Sequence, residues 1–352
     1  MSAPRLEDVA RAARVSLATV DRVLNRRKGV TARTAERVFD AAVGVGYLGA
    51  SERERLARPR PPNVVFLLPS GGNPYLRLLA HRLREMARTS LRDAAHLRCF
   101  FIDGFDAAAL AAALRVHARW ANAIAFLAID HPAVREAAQD VAASGVRLVT
   151  ILSDLSHPAR EAYVGLDNHM AGRTAAYLLG RFRRPGPGSV ALLAGSRKYR
   201  AHAEREIGFL GLMEESHRDL RVVGLREGHD DRIENYRHAC ALIEQHADLV
   251  GIYNVGGSSG GVGRALREKG KAGGIVFIGH GLSADTRALL IEGTMDAVIN
   301  SDPSAVILAA LSYVAQGASA PAPLACGVAM EIFFRENLPP IPRPAPPREG
   351  GP

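Results

Sequence analysis

The sequence predicts an α/β fold in which a small all-α head precedes two lobes built on parallel sheets. In the first 48 residues, apolar side chains repeat at helical spacing, whereas from Asn63 onward short apolar runs alternate with helix-length amphipathic segments. Strands buried on both faces that alternate with helices form parallel sheets with right-handed crossovers. The pattern restarts after Tyr163, which indicates two similar lobes.

The head is expected to contain three short helices. The first keeps its apolar residues on one face as far as Ala13, and Arg14 follows in a tight turn. Ser16 is a good N-cap for a second helix that runs to about Asn25, and a third helix begins after Thr31. Two helices joined by a few residues, with small or polar side chains facing outward from the second, fit a DNA major groove.

The charge distribution agrees with DNA binding. Residues 1–60 hold thirteen Lys/Arg and seven Asp/Glu, so this sixth of the chain carries +6 of the formal net charge of +9. A concentrated positive field favours DNA because cationic side chains release counterions from the phosphates. A basic stretch alone is more often a solvated face, but this one coincides with the helix-turn-helix pattern.

The boundaries follow from these changes of pattern. We expect a head at 1–48, a charged linker at 49–62, the two-lobed body at 63–338 and a Pro-rich, disordered tail at 339–352. Segments 296–300, 303–314 and 328–334 are expected to pass between the lobes. The apolar runs predicted as strands are 64–68, 97–102, 123–129 and 146–152 in the first lobe and 190–193, 221–225, 249–253 and 275–278 in the second.

Composition narrows the class of protein. Cys99, Cys240 and Cys326 have neither disulfide nor metal-site spacing, which suits a reducing compartment, and no motif indicates a cofactor. No apolar run reaches the length of a membrane span, and the amino terminus lacks an export signal. We therefore expect a cytoplasmic protein without a membrane partner.

The head resembles a known family. The matching residues are Leu6-x-Asp8-Val9-Ala10-x-x-Ala13-x-Val15-Ser16-x-x-Thr19-Val20-x-Arg22-Val23-Leu24-Asn25. They look like the amino-terminal signature of the LacI/GalR family of bacterial transcription regulators, and the match runs almost without gaps to Tyr47. Arg5, Arg14 and Asp21 stand where the family usually has Thr, Gly and Ser.

The resemblance implies specific DNA contacts. Leu17, Ala18 and Arg22 occupy base-reading positions, where Arg22 can pair bidentately with guanine and the other two can offer only apolar contact. In the linker, Leu56 falls where the family wedges a leucine into the minor groove, although a plain charged linker is the alternative. The residues expected to contact phosphates are Thr19, Asn25, Thr31 and Thr34.

The body resembles the effector domain of the same family, which has two Rossmann-like lobes of the periplasmic-binding-protein type. In such folds the ligand lies between the lobes at the carboxyl ends of the strands. Arg205 matches the ligand-binding Arg of the family, whereas His280 stands where the family often has Asp. The ligand-binding candidates are Asn73, Tyr75, Asp130, Arg205, Asn254, His280, Ser301 and Asp302.

Some of these candidates have a structural alternative. Asp130 and Asp302 lie at helix starts and can serve as caps, and His280 can be a satisfied core histidine. The resemblance implies a small polar effector, namely a sugar, a sugar acid or a polyol.

The sequence thus predicts a ligand-responsive regulator, a repressor that binds a pseudo-palindromic double-stranded DNA operator as a homodimer, with a tetramer left open. The alternative is a solute-binding protein without a regulatory role, which the basic head disfavours. A hydrolase is less favoured: Ser258 lies in a G-x-S-x-G motif, but the required acid and then His do not follow it, because Glu268 lies inside a helix before the last histidine, His280. We therefore do not expect an enzyme.

Overall fold

The computed structural model describes residues 4–27, 29–57, 61–91, 94–156, 159–315 and 326–340. The chain divides after residue 61 into two compact units, which are described separately below. The tail predicted to be disordered lies, from residue 341 onward, outside the described residues.

The smaller unit is helical. Val9, Val20, Val38 and Phe39 form the centre of its core, because the apolar spacing of each helix turns one face inward. Ser16 caps the second helix by accepting a hydrogen bond from Thr19 N at 3.2 Å. The helices are α1 (Leu6–Ala13), α2 (Leu17–Leu24), α3 (Ala32–Gly44) and α4 (Ala50–Ala57).

The first lobe of the larger unit is a parallel sheet with helices on both faces. Its strands lie in the order β11-β5-β4-β3-β1-β2. They are β1 (Asn63–Pro69), β2 (His96–Ile102), β3 (Ala123–Phe126), β4 (Arg147–Ile151), β5 (Ala162–Gly165) and β11 (Cys326–Gly327). The helices are α5 (Pro74–Arg88), α6 (Ala107–Ala118), α7 (Pro132–Ala143) and α13 (Pro303–Ala315). One face packs on α6 and α7, and the other on α5 and α13.

The second lobe repeats this design, with strand order β12-β10-β9-β8-β6-β7 and an antiparallel β12 at the edge. Its strands are β6 (Gly188–Ala194), β7 (Leu220–Glu227), β8 (Leu249–Asn254), β9 (Val276–His280), β10 (Ala297–Asn300) and β12 (Glu331–Phe333). The helices are α8 (Asn168–Phe182), α9 (Arg200–Ser216), α10 (Arg232–Gln245), α11 (Ser259–Glu268) and α12 (Ala284–Ile291). The fold class predicted from the sequence, a helical head before two parallel α/β lobes, is confirmed.

The chain passes between the lobes more than once. It leaves the first sheet after β5, returns from β10 to the first lobe through α13, and crosses again from β11 to β12. Of the three segments expected to pass between the lobes, 296–300 ends in the second sheet and 303–314 packs on the first, with the crossing at their junction, whereas 328–334 leads from the first lobe into the second. Within the described part of the chain, no helix is both long and apolar enough to cross a membrane.

Candidate functional site

In the smaller unit, α2 presents the side chains predicted to read bases. Val20 and Val23 point into the core, so Leu17, Ala18 and Arg22 lie on the exposed side, with Leu17 45% exposed. Arg22 makes no ion pair with another described residue, which leaves its guanidinium available for an external partner. This face combines two apolar groups with one bidentate donor.

The side chains predicted to contact phosphates also hold the helix ends. Asn25 Nδ2 donates to Asp21 Oδ1 at 2.7 Å, and Thr31 Oγ1 donates to Thr34 Oγ1 at 2.9 Å. Thr19 Oγ1 lies 2.9 Å from the Oγ of the capping Ser16. Their role on DNA stays a prediction.

The linker begins as a helix. In α4, Leu56 is half-buried and packs against the core of the head, and Arg53 forms an ion pair with Asp40. Leu56 is thus partly covered by the head in this structure. Its insertion into DNA stays a prediction.

In the larger unit, a cavity lies between the two lobes at the carboxyl ends of their strands. It holds about 620 Å³ of space free of protein atoms, part of it open to solvent. Five of the eight predicted ligand-binding residues line it: Asn73, Tyr75, Arg205, His280 and Ser301.

Asn73 and Tyr75 reach the cavity from the first turn of α5. Asn73 caps the helix, since its Oδ1 accepts a hydrogen bond from Tyr75 N at 3.1 Å, and its Nδ2 donates to Asp230 Oδ2 at 2.9 Å. The Tyr75 hydroxyl donates to Ser301 O at 2.9 Å and lies 2.8 Å from Ser301 Oγ. Burial raises the pKa of Tyr75 well above its ordinary value, so this hydroxyl stays protonated.

Arg205 enters the cavity from α9. Its Nε donates to Asn168 Oδ1 and its Nη1 to Val255 O, both at 2.9 Å, and both acceptors are uncharged. Burial lowers the pKa of the guanidinium below its ordinary value. No carboxylate of the described residues is hydrogen-bonded to the guanidinium, but the nearby charge of Asp230 acts on it in the direction that raises its pKa.

Two histidines of the cavity wall are neutral. His280 Nε2 lies 2.7 Å from the Tyr253 hydroxyl, and burial holds the pKa of His280 well below its usual range. His202, which sequence reasoning missed, has Nδ1 2.9 Å from Ser196 O, and burial lowers its pKa to about 4. Neither ring carries charge at pH 7.

Asp230 was also missed, although it connects the lobes. Its Oδ1 accepts from Gly257 N at 2.6 Å, its Oδ2 accepts from Asn73, and its carbonyl oxygen accepts from Ser258 Oγ at 2.5 Å. Asp230 has φ 52°, in the left-handed region, as has its neighbour His229 with φ 49°. This bend brings the carboxylate to the cavity.

The other three predicted ligand-binding residues do not line the cavity. Asp130 forms an ion pair with Arg135 at 3.3 Å. Asn254 stabilises the loop after β8, where its Nδ2 donates to Gly257 O at 2.9 Å. Asp302 caps α13, as the cap alternative predicted.

The G-x-S-x-G serine is held by backbone oxygens. Ser258 Oγ donates to Asp230 O and, across the lobes, to Gly72 O at 3.1 Å. Within the described residues no histidine forms a hydrogen bond to it. Ser258 has φ 55°, and its hydroxyl acts here as an interlobe contact.

One sequence signal could have found His202. It lies three residues before Arg205 on α9, so both side chains occupy one face of the helix. The sequence gives a weaker indication of Asp230. This residue follows β7 by three positions, and β7 is an edge strand without a buried apolar run, so the end of the strand is hard to locate from the sequence.

Family models match both units. The periplasmic binding protein domain matches residues 64–319, and the lacI family of bacterial regulatory proteins matches residues 5–49. Catabolite control protein A of Staphylococcus xylosus is 36% identical over 80 residues, which is 23% of this chain and 24% of that protein. The ribose operon repressor of Halalkalibacterium halodurans is 33% identical over 84 residues, 24% of this chain and 25% of that protein. The chain thus spans about a quarter of the length of the curated relatives it matches.

Solved structures show the same fold as the larger unit. GanP, a glucose-galactose binding protein from Geobacillus stearothermophilus, has a TM-score of 0.70 at 20% identity and covers 80% of this chain and 100% of its own. A putative LacI transcriptional regulator from Bacteroides fragilis has a TM-score of 0.69 at 18% identity, with coverage of 79% and 98%. The chain belongs to the periplasmic binding protein domain family, and its residues 5–49 form a helix-turn-helix domain of the lacI family of bacterial regulatory proteins.

Proposed function

We propose that this chain is a ligand-responsive, sequence-specific DNA-binding transcription regulator. One observation carries the proposal: the same chain has an exposed face on α2, where Arg22 makes no ion pair among the described residues, and a cavity between two lobes. A solute-binding protein would need only the cavity, so that alternative leaves the lacI-type head unexplained. We further propose that it represses an operon for uptake or breakdown of a carbohydrate or polyol, acting in the cytoplasm.

The mechanism is a population shift. An effector that binds the closed lobes more tightly than the open ones changes their equilibrium, and with it the affinity of the heads for DNA. Two heads of a homodimer, or of each dimer within a tetramer, read the halves of a pseudo-palindrome. The effector is a small polar molecule, within the range of sugars, sugar acids and polyols.

The first test selects fragments of the source genome bound by the purified protein and sequences them. A regulator enriches a pseudo-palindrome upstream of a transport or catabolic operon. No enrichment over random DNA, at low salt, would favour the solute-binding alternative.

A second test concerns Arg22. We expect Arg22→Ala to relax base discrimination at one position of each half-site, at a cost of about 1–3 kcal/mol for the preferred sequence, because a bidentate contact to guanine is lost. Fluorescence anisotropy with operator variants and random DNA measures this. Arg33→Ala, an exposed arginine at the start of α3, is the control and should weaken all sequences equally. Equal losses on operator and random DNA for Arg22→Ala would contradict base reading.

A further inference from the structure

The exposed face of α2 carries a carboxylate at its centre. Asp21 is the one acidic residue of this helix, and it lies one turn after Leu17 and one turn before Asn25. Ala18 and Arg22 occupy the neighbouring row, so the side chains predicted to read bases flank Asp21. DNA phosphates repel a negative group, so its presence at the centre of this face, in a segment that carries +6 of the net charge, needs a physical reason.

Two side chains hold this carboxylate in position. Asn25 Nδ2 donates to Asp21 Oδ1 at 2.7 Å, and Arg27 Nη1 donates to Asp21 Oδ2 at 2.9 Å. The ion pair with Arg27 balances the negative charge, which reduces the repulsion between the carboxylate and DNA phosphates. A side chain that is already held by two contacts also loses less conformational freedom when it binds a partner. Asp21 is thus oriented and charge-balanced before DNA is bound.

The carboxylate keeps free capacity to accept hydrogen bonds. It offers about four lone-pair sites, of which Asn25 and Arg27 occupy one each among the described residues. The side chain of Asp21 is 39% exposed, so the remaining sites can reach a partner outside the head. These sites accept hydrogen bonds and cannot donate them, so that partner must present a donor.

The bases of DNA differ in what they present to such an acceptor. In the major groove, cytosine presents its N4 amino group, a donor with no acceptor on the same base, whereas guanine and thymine present acceptors. Adenine presents its N6 amino group beside the N7 acceptor, which repels the second oxygen of a carboxylate. A carboxylate pressed against an acceptor is a desolvated charge without a donor, and that arrangement is costly. The chemistry of Asp21 therefore favours cytosine.

We propose that Asp21 is a further specificity-determining residue of the DNA-binding head and that it reads a cytosine by accepting a hydrogen bond from N4. It does so at a base pair other than the one read by Arg22, because consecutive residues of a helix project about 100° apart. Asp21 acts by attraction to cytosine and by exclusion of the other bases. This inference rests on the proposed function, because it concerns the DNA sequence that the regulator recognises.

The first test compares the base preferences of variants. The full chain is bound to duplexes in which the operator obtained by fragment selection is randomised, and the bound duplexes are sequenced. We expect the unaltered chain to prefer C·G to every other pair about tenfold at one position of each half-site that depends on Asp21. Asp21→Ala should lose that preference and keep the guanine preference at the position read by Arg22. An unchanged profile, or loss of a preference for another base, would overturn the proposal.

Two control variants separate base reading from the ion pair and from overall charge. Arg27→Gln breaks the ion pair but keeps the carboxylate, so the cytosine preference should remain. Glu36→Gln removes a negative charge from an exposed position of α3 and should change the affinity for all sequences equally. If Arg27→Gln loses the cytosine preference as fully as Asp21→Ala does, Asp21 only positions Arg27 and the proposal is wrong.

A second measurement removes the donor from the DNA and leaves the protein unaltered. Fluorescence anisotropy compares the operator with a duplex in which the cytosine is replaced by 2-pyrimidinone, a base that lacks the N4 amino group. The unaltered chain should bind the altered duplex about tenfold more weakly, whereas Asp21→Ala should bind both duplexes with similar affinity. Equal affinity of the unaltered chain for both duplexes would reject the contact, whether or not Asp21→Ala folds.

The same data distinguish failure of this inference from failure of the proposed function. If the chain selects an operator but no position depends on Asp21, the assignment of Asp21 is wrong and the regulator stands. If the chain shows no preference for any DNA sequence, both are rejected.

Discussion

At the end of α1, Arg14 adopts φ 53° and ψ 49°, a left-handed conformation that the turn into α2 requires. This conformation costs a residue with a Cβ roughly 1–2 kcal/mol, a cost that glycine avoids. We expect Arg14→Gly to stabilise the head by about 1 kcal/mol after the added flexibility of the unfolded chain is counted. Hydrogen exchange of the amides of α1 and α2 in the full chain measures the change.

Arg14→Ala is the matched control, because it removes the same charge but keeps the Cβ. It should give no comparable gain. If both variants slow exchange equally, the effect comes from charge, and strain at Arg14 is not the cause.

At the scale of elements, the crossing of α8 and α9 positions Arg205. A methyl group at Gly208 would clash with the carbonyl oxygen of His169, and one at Gly172 would clash with that of Arg205. The two helices therefore touch backbone to backbone. We expect Gly208→Ala to destabilise the second lobe by about 1–3 kcal/mol, in the range of overpacking changes, and to displace Arg205. Urea unfolding measures the stability.

Gly211→Ala on the same helix provides the control. A methyl group there would meet only Arg173 Nη1, at 3.8 Å, so the change should be neutral or slightly stabilising through helix propensity. Equal destabilisation by both variants would argue against the close crossing.

The elements were largely predictable, and the site only in part. Buried apolar runs marked most of the strands. Asn73, four residues beyond β1, and His280, the last residue of β9, were found because the carboxyl ends of the strands meet at the cavity. Asp230 was missed because two left-handed residues redirect the chain beyond β7. Asn254 lies at the end of β8, but it stabilises the next loop and does not line the cavity. Spacing alone does not distinguish these two uses.

For the whole molecule, buried neutral histidines predict acid sensitivity. Burial lowers the pKa of His202 from 6.5 to about 4, and that of His280 falls well below its ordinary value. Between pH 6.5 and pH 4, the unfolded chain binds a proton on His202 that the folded chain does not bind. The contribution of this group to the free energy of unfolding is therefore fully present above pH 6.5 and is lost as the pH falls toward 4. The loss from His202 alone amounts to about 3 kcal/mol at most.

Urea unfolding of the free chain between pH 4.5 and 7.5 measures this slope. His202→Gln should reduce it, whereas His81→Gln, at an exposed position on α5, should leave it unchanged. A slope that is the same in all three proteins would show that His202 does not cause the acid sensitivity.

The contacts that join the lobes also set the timing of the response. Three hydrogen bonds bridge the lobes around the cavity: Asn73 with Asp230, Ser258 with Gly72, and Lys198 with Phe105. The lobes can part widely only when these bonds break. For a solute that needs the wider opening, we expect association to be limited by how often the lobes part, a motion of microseconds to milliseconds, and its observed rate to level off at high solute concentration. Release is gated in the same way, which lengthens the residence time of a bound molecule and lets its effect outlast a brief fall in its supply.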